Sequence, residues 1–275
     1  VLGLTSDQIS AFGTSNINNL STSQIQSLTS RALSGLSTSQ IGVLQTSSVQ
    51  ALKSSQIAAL SNTAISALGS SQLNALGTLG ITSLTTSQVG ALSTSGLSTL
   101  SSTQLSALTS LEMKALTSSQ ISALGTLGIK AFSGSQFKNL TSTAVAGLGT
   151  DQIVNLTTDE IAALTTAQIQ GLGTAGVNAL STSTIGSLNT ATLAGLSSSQ
   201  FSNLSPAILG SLSSSQYSSL SSSGLGRLSS SQIQALGTFG VSSLGSSQIS
   251  GLGTSGITSL TSSQIQNLSA SAVLG

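Results

Sequence analysis

Two apolar columns run through the chain at fixed spacing. Leu recurs every eight residues from Leu4 to Leu268, and 32 of those 34 positions are Leu, the others being Phe12 and Phe132. Three residues before each stands a second apolar residue, from Val1 and Ile9 onward to Val273, always aliphatic, Met or aromatic. No insertion breaks the register. Residues on one face lie two apart in a strand but three or four apart in a helix, so the spacing of Ile25 and Leu28 predicts a helical turn. One continuous helix fails, because eight residues rotate it by about 800° and the columns would drift by roughly 80° per repeat. Each octad is therefore expected to be a very short helix followed by a reversal.

The residues around the columns fit that reading. Thr5 to Gln8, Ser21 to Gln24 and Thr117 to Gln120 have the Ser/Thr-x-x-Gln form of a capping box, in which hydroxyl and amide side chains satisfy each other's backbone N–H groups. Pro206 directly follows Ser205, at the first helical position, where a missing N–H costs nothing. Asp7, Glu112, Asp151, Asp159 and Glu160 all fall at the second or third helical position, where the partial positive charge of a helix start favours carboxylates. Lys114, Lys130 and Lys138 sit just after the Ile column, near helix ends that favour cations, and Arg227 follows the same rule, whereas Arg31 and Lys53 do not. A Gly or Asn before the Leu suits a left-handed closing residue.

A longer period is superimposed on the octad. The residue before the Ile column is Gln in alternate octads, from Gln8 and Gln24 to Gln264, with Thr184 the one exception. The intervening octads carry Asn16, Ala32, Ser48, Ala64, Gly80 or Glu112 there, and never Gln. The simplest architecture is an all-α solenoid with two octads, or 16 residues, per coil and about seventeen coils in all. A two-sided parallel β-solenoid is the alternative, since Ile, Val, Thr and a Gln ladder tolerate strands. Against it stand the spacing of three, the Leu column and the single phase of the acidic residues. Residues 1–275 are expected to form one uninterrupted solenoid, a segment of a longer array or of a filament continued end to end.

Composition narrows the chemistry. Charged residues make up 4% of the chain and the net charge is +1, which leaves neither a basic nucleic-acid footprint nor an acidic tail. No apolar run approaches the roughly 20 residues of a membrane span. Without His or Cys, and with acidic and basic residues scattered, no base–nucleophile pair or metal cluster is legible. The expected catalytic, cofactor-binding and metal-binding residues are therefore none. Asp159 and Glu160 are the one adjacent carboxylate pair, and both are expected at an exposed helix start. Gly77 with Gly80, Gly125 with Gly128, and Gly237 with Gly240 lack a phosphate-loop Lys and mark octads where backbone approaches a neighbour or is poorly helical. Asn19, Asn139, Asn155, Asn203 and Asn267 begin Asn-Leu-Ser/Thr patterns that are by-products of the repeat, since the Leu is always the core column.

One asymmetry points to an interaction. Before each Gln the residue is nearly always small and polar, as at Ser23, Ser39 and Ser55, whereas the matching slot of the other octads includes Leu79, Leu111, Leu127 and Phe239. Those four are the candidate lateral-contact face, where the chain packs on another copy or another segment.

The units Leu-Thr-Thr-Ala-Gln-Ile at 164–169 and Leu-Thr-Ser-Ser-Gln-Ile at 116–121 resemble the Leu-Thr-x-x-Gln-Ile octapeptide arrays of very large bacterial secreted or surface proteins. The resemblance covers the whole chain, which departs from the commonest form in its Ser richness and scarce Pro. It implies an extracellular or cell-surface setting in a bacterium, a stalk, filament, sheath or matrix role, and no enzyme activity or cofactor. Self-association is the expected partnership. The alternative is a regular Ser/Thr-rich surface that binds ice or a polysaccharide on an adhesin.

Overall fold

A computed structural model describes residues 3–273. Those residues contain 34 helices, α1 (Ser6–Ser10) to α34 (Ala270–Val273) in chain order, and no strand. The all-helical solenoid is the architecture expected from the spacing of three. Each helix holds four to seven residues, as in α4 (Ser30–Leu33) and α22 (Gly173–Ala179). Within an octad the Ile-column amide bonds the cap carbonyl four residues back, and the Leu amide then closes onto the Ile-column carbonyl three residues back. In α3 (Thr22–Ser27) these are Ile25 N to Ser21 O at 2.9 Å and Leu28 N to Ile25 O at 3.1 Å. The tight second bond turns the chain, so no left-handed closing residue is needed. Asn19, for example, has φ −86°, contrary to the expectation for residues before the Leu. The capping boxes form as the sequence predicts at Thr5, Ser21 and Thr117, and Pro206 opens α26 (Pro206–Gly210) behind the Ser205 cap.

The chain divides into two compact units, one of residues up to Gly147 and one from Leu148. In the first, α1 packs on α4, α4 on α7 (Ser54–Ala59), α7 on α10 (Gly77–Ile81), α10 on α13 (Ser102–Ser106) and α13 on α16 (Gly125–Ile129). Two further stacks begin at α2 (Thr14–Asn18) and α3, again joining every third helix. A coil therefore has three sides and three octads, rather than the two octads expected from the Gln period. The second unit repeats the pattern, for instance α19 (Thr150–Ile153) on α22 and α22 on α25 (Ser198–Ser202). Ile and Leu columns from the three sides face inward and are buried, with Ile41 at 0% and Leu44 at 5% exposure.

The Gln period has another cause. Three is odd, so each stack alternates Gln octads with octads of the other kind, and the two kinds do different work. From Gln40 onward the Gln is buried and spans two coils. In α5 (Thr38–Gly42), Gln40 Oε1 accepts the Ser37 cap N–H at 2.8 Å, while Nε2 donates to Ile9 O at 2.8 Å and Phe12 O at 2.7 Å. Those carbonyls lie at the corner between α1 and α2, one coil below. Gln56, Gln72, Gln88 and Gln120 repeat the clamp on the corners at Leu28, Leu44, Leu60 and Leu92. In most of the other octads the slot is small and receives the Ile-column side chain of the helix beneath, with Glu112, Glu160 and Ile208 the large buried exceptions. A Cβ built on Gly240 would lie 2.8 Å from Tyr217 Cζ, and one on Gly224 would lie 3.1 Å from the Phe201 ring. Phe137, Phe201 and Tyr217, the aromatic members of the column, all belong to Gln octads.

Two outcomes follow. Gln88→Ala strips Ile57 O and Leu60 O of their side-chain donor at a site 1% exposed. Net loss of two bonds plus a stranded cap amide should cost about 2–4 kcal/mol, read as a lower unfolding midpoint in urea with helical circular dichroism retained. Tyr217 is held neutral by burial, which pushes its phenol up from 10.0 to about 12. The folded form thus holds the proton more tightly than the unfolded form. That contribution is complete below pH 10 and is lost as pH rises through about 12. Tyr217→Phe should therefore flatten the fall in stability over this alkaline range relative to the parent chain.

Candidate lateral face and its glycine corners

The four candidate contact residues stand out into solvent. Leu79 is 81% exposed, Leu111 65%, Leu127 85% and Phe239 59%. Each occupies the second or third position of a helix whose buried face is already filled by its own Ile- and Leu-column residues. The structure does not bring all four together. Leu79 on α10 and Leu127 on α16 share one stack, with α13 and its Thr103 between them. Leu111 lies on α14 (Ser110–Met113) in the neighbouring stack of the same unit. Phe239 lies in the second unit on α30 (Gly237–Ser242), where its ring meets the edge of Tyr217 with centroids 6.2 Å apart. Val154 and Ile265, 55% and 52% exposed, were not singled out by the sequence reading. Both sit just outside the slot that was compared between octads, Val154 following the Ile column and Ile265 being a member of it.

Leu79, Leu127 and Phe239 share a local setting that explains their prominence. Each is the fourth residue of a Leu-Gly-Thr-x-Gly sequence, which also occurs with Ala175 and Ser255 at the variable place. At these five corners no hydroxyl cap forms. The Leu stays right-handed and the first Gly takes positive φ, 62° at Gly77, 61° at Gly125 and 64° at Gly237. A side chain at such a φ is strained, so the corner requires glycine. The next helix then starts directly from the Leu, whose carbonyl accepts the amide of the second Gly, as in Gly80 N to Leu76 O at 3.0 Å. The second Gly is needed for space, since a Cβ on Gly80 would lie 2.6 Å from Leu76 Cβ. The paired glycines are thus sites of unusual backbone and close approach, as their spacing suggested.

The redirected helix leaves an open cleft against the helix three before it. One cleft of about 620 Å³ is lined by Leu100, Ser102, Leu105, Leu124, Thr126 and Leu127. A second of about 590 Å³ is lined by Leu52, Ser54, Ile57, Leu76, Thr78 and Leu79. The two sets match residue for residue at an offset of six octads, which is two three-sided coils and also three Gln periods. Both clefts mix aliphatic walls with hydroxyls, and the exposed Leu forms part of each rim.

Lys53 lines the second cleft, whereas the acidic residues are placed apart from both. Asp159 is exposed at the start of α20 (Thr158–Ala163), as expected, but Glu160 beside it is buried at 2%. Glu160 takes the place of Gln in the capping box, accepting the Thr157 N–H at 2.6 Å and its hydroxyl at 2.9 Å. The expectation of two exposed carboxylates is corrected on that point: the third helical position folds inward. Glu112 is buried in the same way, accepting the Thr109 N–H at 2.6 Å. Among the described residues no group of three or more His, Cys, Asp or Glu converges, and no helix is long and apolar enough to cross a membrane. The side chains of Asn139, Asn155, Asn203 and Asn267 each donate to the carbonyl four residues back, at 2.8 Å.

No curated protein matches the sequence of this chain. The family model described as the ALTTAQ repeat matches residues 49–86 and 158–190, one stretch in each unit. Ala163 to Gln168 spell that hexapeptide in full, and they contribute a Leu-column residue, a Thr cap and a Gln of the buried slot. This repeat protein of short helices is similar to the ALTTAQ repeat over one stretch of each unit.

Proposed function

We propose that the chain is a non-enzymatic structural protein, a stretch of stalk, filament or sheath material whose copies associate laterally. The observation that carries this reading is the use made of its polar groups. Cap hydroxyls, Gln amides and buried carboxylates are turned onto the backbone of their own or the preceding coil, where they hold octads in register. Repeating such units adds length while the bonding pattern recurs every two coils, the property a spacer needs. The bacterial surface or extracellular matrix is the setting proposed, on the resemblance of the octads to secreted and surface arrays. Ice or polysaccharide recognition by regular hydroxyl ranks is the rival reading. It has less support, because the most regular hydroxyls, those of the caps, accept helix amides.

Lateral association is proposed to run through the exposed Leu79 and Leu127, at matching places two coils apart in one stack. Burying a Leu side chain fully is worth roughly 1.5–3 kcal/mol. Leu79→Ser with Leu127→Ser should therefore weaken association of the whole chain at least tenfold in sedimentation velocity, with the circular dichroism spectrum unchanged. A parent chain that stays monomeric at the highest soluble concentration, or a variant that assembles equally well, would exclude this contact. Thermal hysteresis or glycan binding by the parent would favour the rival.

A further inference from the structure

In the second unit the corner clamp recurs at Gln200, Gln216, Gln232, Gln248 and Gln264, each donating to carbonyls of the preceding coil. The same slot in α23 (Thr182–Ile185) holds Thr184, which is half-buried where the Gln side chains are buried. The Thr hydroxyl is too short to reach the coil below. It accepts the Ser181 N–H at 3.0 Å, lies 2.9 Å from the Ser181 hydroxyl and donates to Ser181 O at 3.2 Å, so its bonds stay within its own cap. Gln216 reaches Ile185 O and Leu188 O, and the same offsets counted back from Thr184 lead to Ile153 and Leu156. The corner beneath is thus the one between α19 and α20. Its carbonyls, Leu156 O and Ile153 O, receive no side-chain donor among the described residues. Ile153 O accepts only the local Leu156 amide, at 3.1 Å.

The neighbours of α23 are held. Thr192 on α24 (Thr190–Ala194) donates across to Leu164 O at 2.9 Å, and Gln216 on α27 (Ser214–Ser219) donates down to Ile185 O and Leu188 O, each at 3.0 Å. With Gly176 in the slot of α22, the coil α22–α24 sends only the Thr192 hydroxyl down to the coil α19–α21, whereas the coils above send down Gln200 with Gln216, then Gln232, then Gln248 with Gln264. With only four residues, α23 has no stability of its own to replace the missing bonds.

We infer that α23 is a built-in yield seam, the place where the coil bearing α19 and α20 parts from the coil above before any Gln-clamped coil junction of the second unit opens. Local opening of this kind exposes the amides of residues 181–188 while neighbouring coils stay folded. In a load-bearing array it fixes where the chain gives way first, and it offers an extended segment to proteases at that one point.

Native-state hydrogen exchange on the full chain, read by mass spectrometry, tests the seam. Residues 181–188 should exchange about tenfold faster than 213–220, the segment of α27, which carries its Gln clamp. Thr184→Gln should install the missing donor and slow 181–188 by about that factor, leaving 213–220 unchanged. Gln216→Thr should do the reverse, creating a second fast segment at 213–220. Equal rates for the two segments in the parent chain, or no slowing on Thr184→Gln while Gln216→Thr does speed its own segment, would overturn the inference.

Discussion

A buried side-chain amide shared between two coils governs how this chain can be built from such short helices. A helix leaves its first four N–H and last four C=O groups without intrahelical partners, and helices as short as these consist almost entirely of such groups. Isolated turns of this length do not persist in water, because nucleation is costly and little propagation follows. The Gln at the third helical position answers both problems. Its oxygen satisfies the cap amide of its own helix, and its nitrogen satisfies carbonyls at the corner below. Local helix formation and coil stacking are thereby one event. Inside a dry spine of Leu and Ile those bonds also forbid slippage, since a displaced coil would strand a buried amide and two carbonyls.

Coil size and sequence period interact in a way that accounts for the chain's composition. Three octads close a coil, while two kinds of octad alternate along the sequence, so every stack alternates Gln octads with octads whose slot is mostly small. The small slot accepts the Ile-column residue of the helix below, which lets Phe201 and Tyr217 enter the core opposite Gly224 and Gly240. Only after six octads do both patterns return to phase. The matching clefts beside Leu79 and Leu127 express that longer period, and so does their shared corner, which gives up a hydroxyl cap for a positive-φ glycine.

What could be read from the sequence was local. The short helix, its hydroxyl cap, the position of Pro206 and the two apolar columns are set within one octad, where spacing and capping chemistry leave few alternatives. The prominence of Leu79, Leu111, Leu127 and Phe239 was legible too, because the comparison of like positions between octads needs no tertiary knowledge. Coil size was not legible. An alternation of two is compatible with a two-octad coil and equally with any odd number of octads, and the partners that decide between them lie on helices three apart in the chain. Glu160 looked exposed because a carboxylate at a helix start ordinarily is, yet it occupies the slot that folds inward. The residues before Leu looked like left-handed closures, but the Leu amide closes the turn without one.

The three-octad coil is the claim on which the clamp, the small slot and the six-octad period all rest. Ser230 and Ser259, in α29 (Ser230–Ala235) and at the end of α32 (Gly253–Thr258), have hydroxyl oxygens 2.8 Å apart. Ser230→Cys paired with Ser259→Cys should form a disulfide under mild oxidation, seen as a mass loss of two hydrogens that reduction reverses. Ser230→Cys paired with Ser246→Cys, two octads along, should stay reduced in the same conditions. The opposite outcome, a bond across two octads and none between Ser230→Cys and Ser259→Cys, would contradict the three-sided coil.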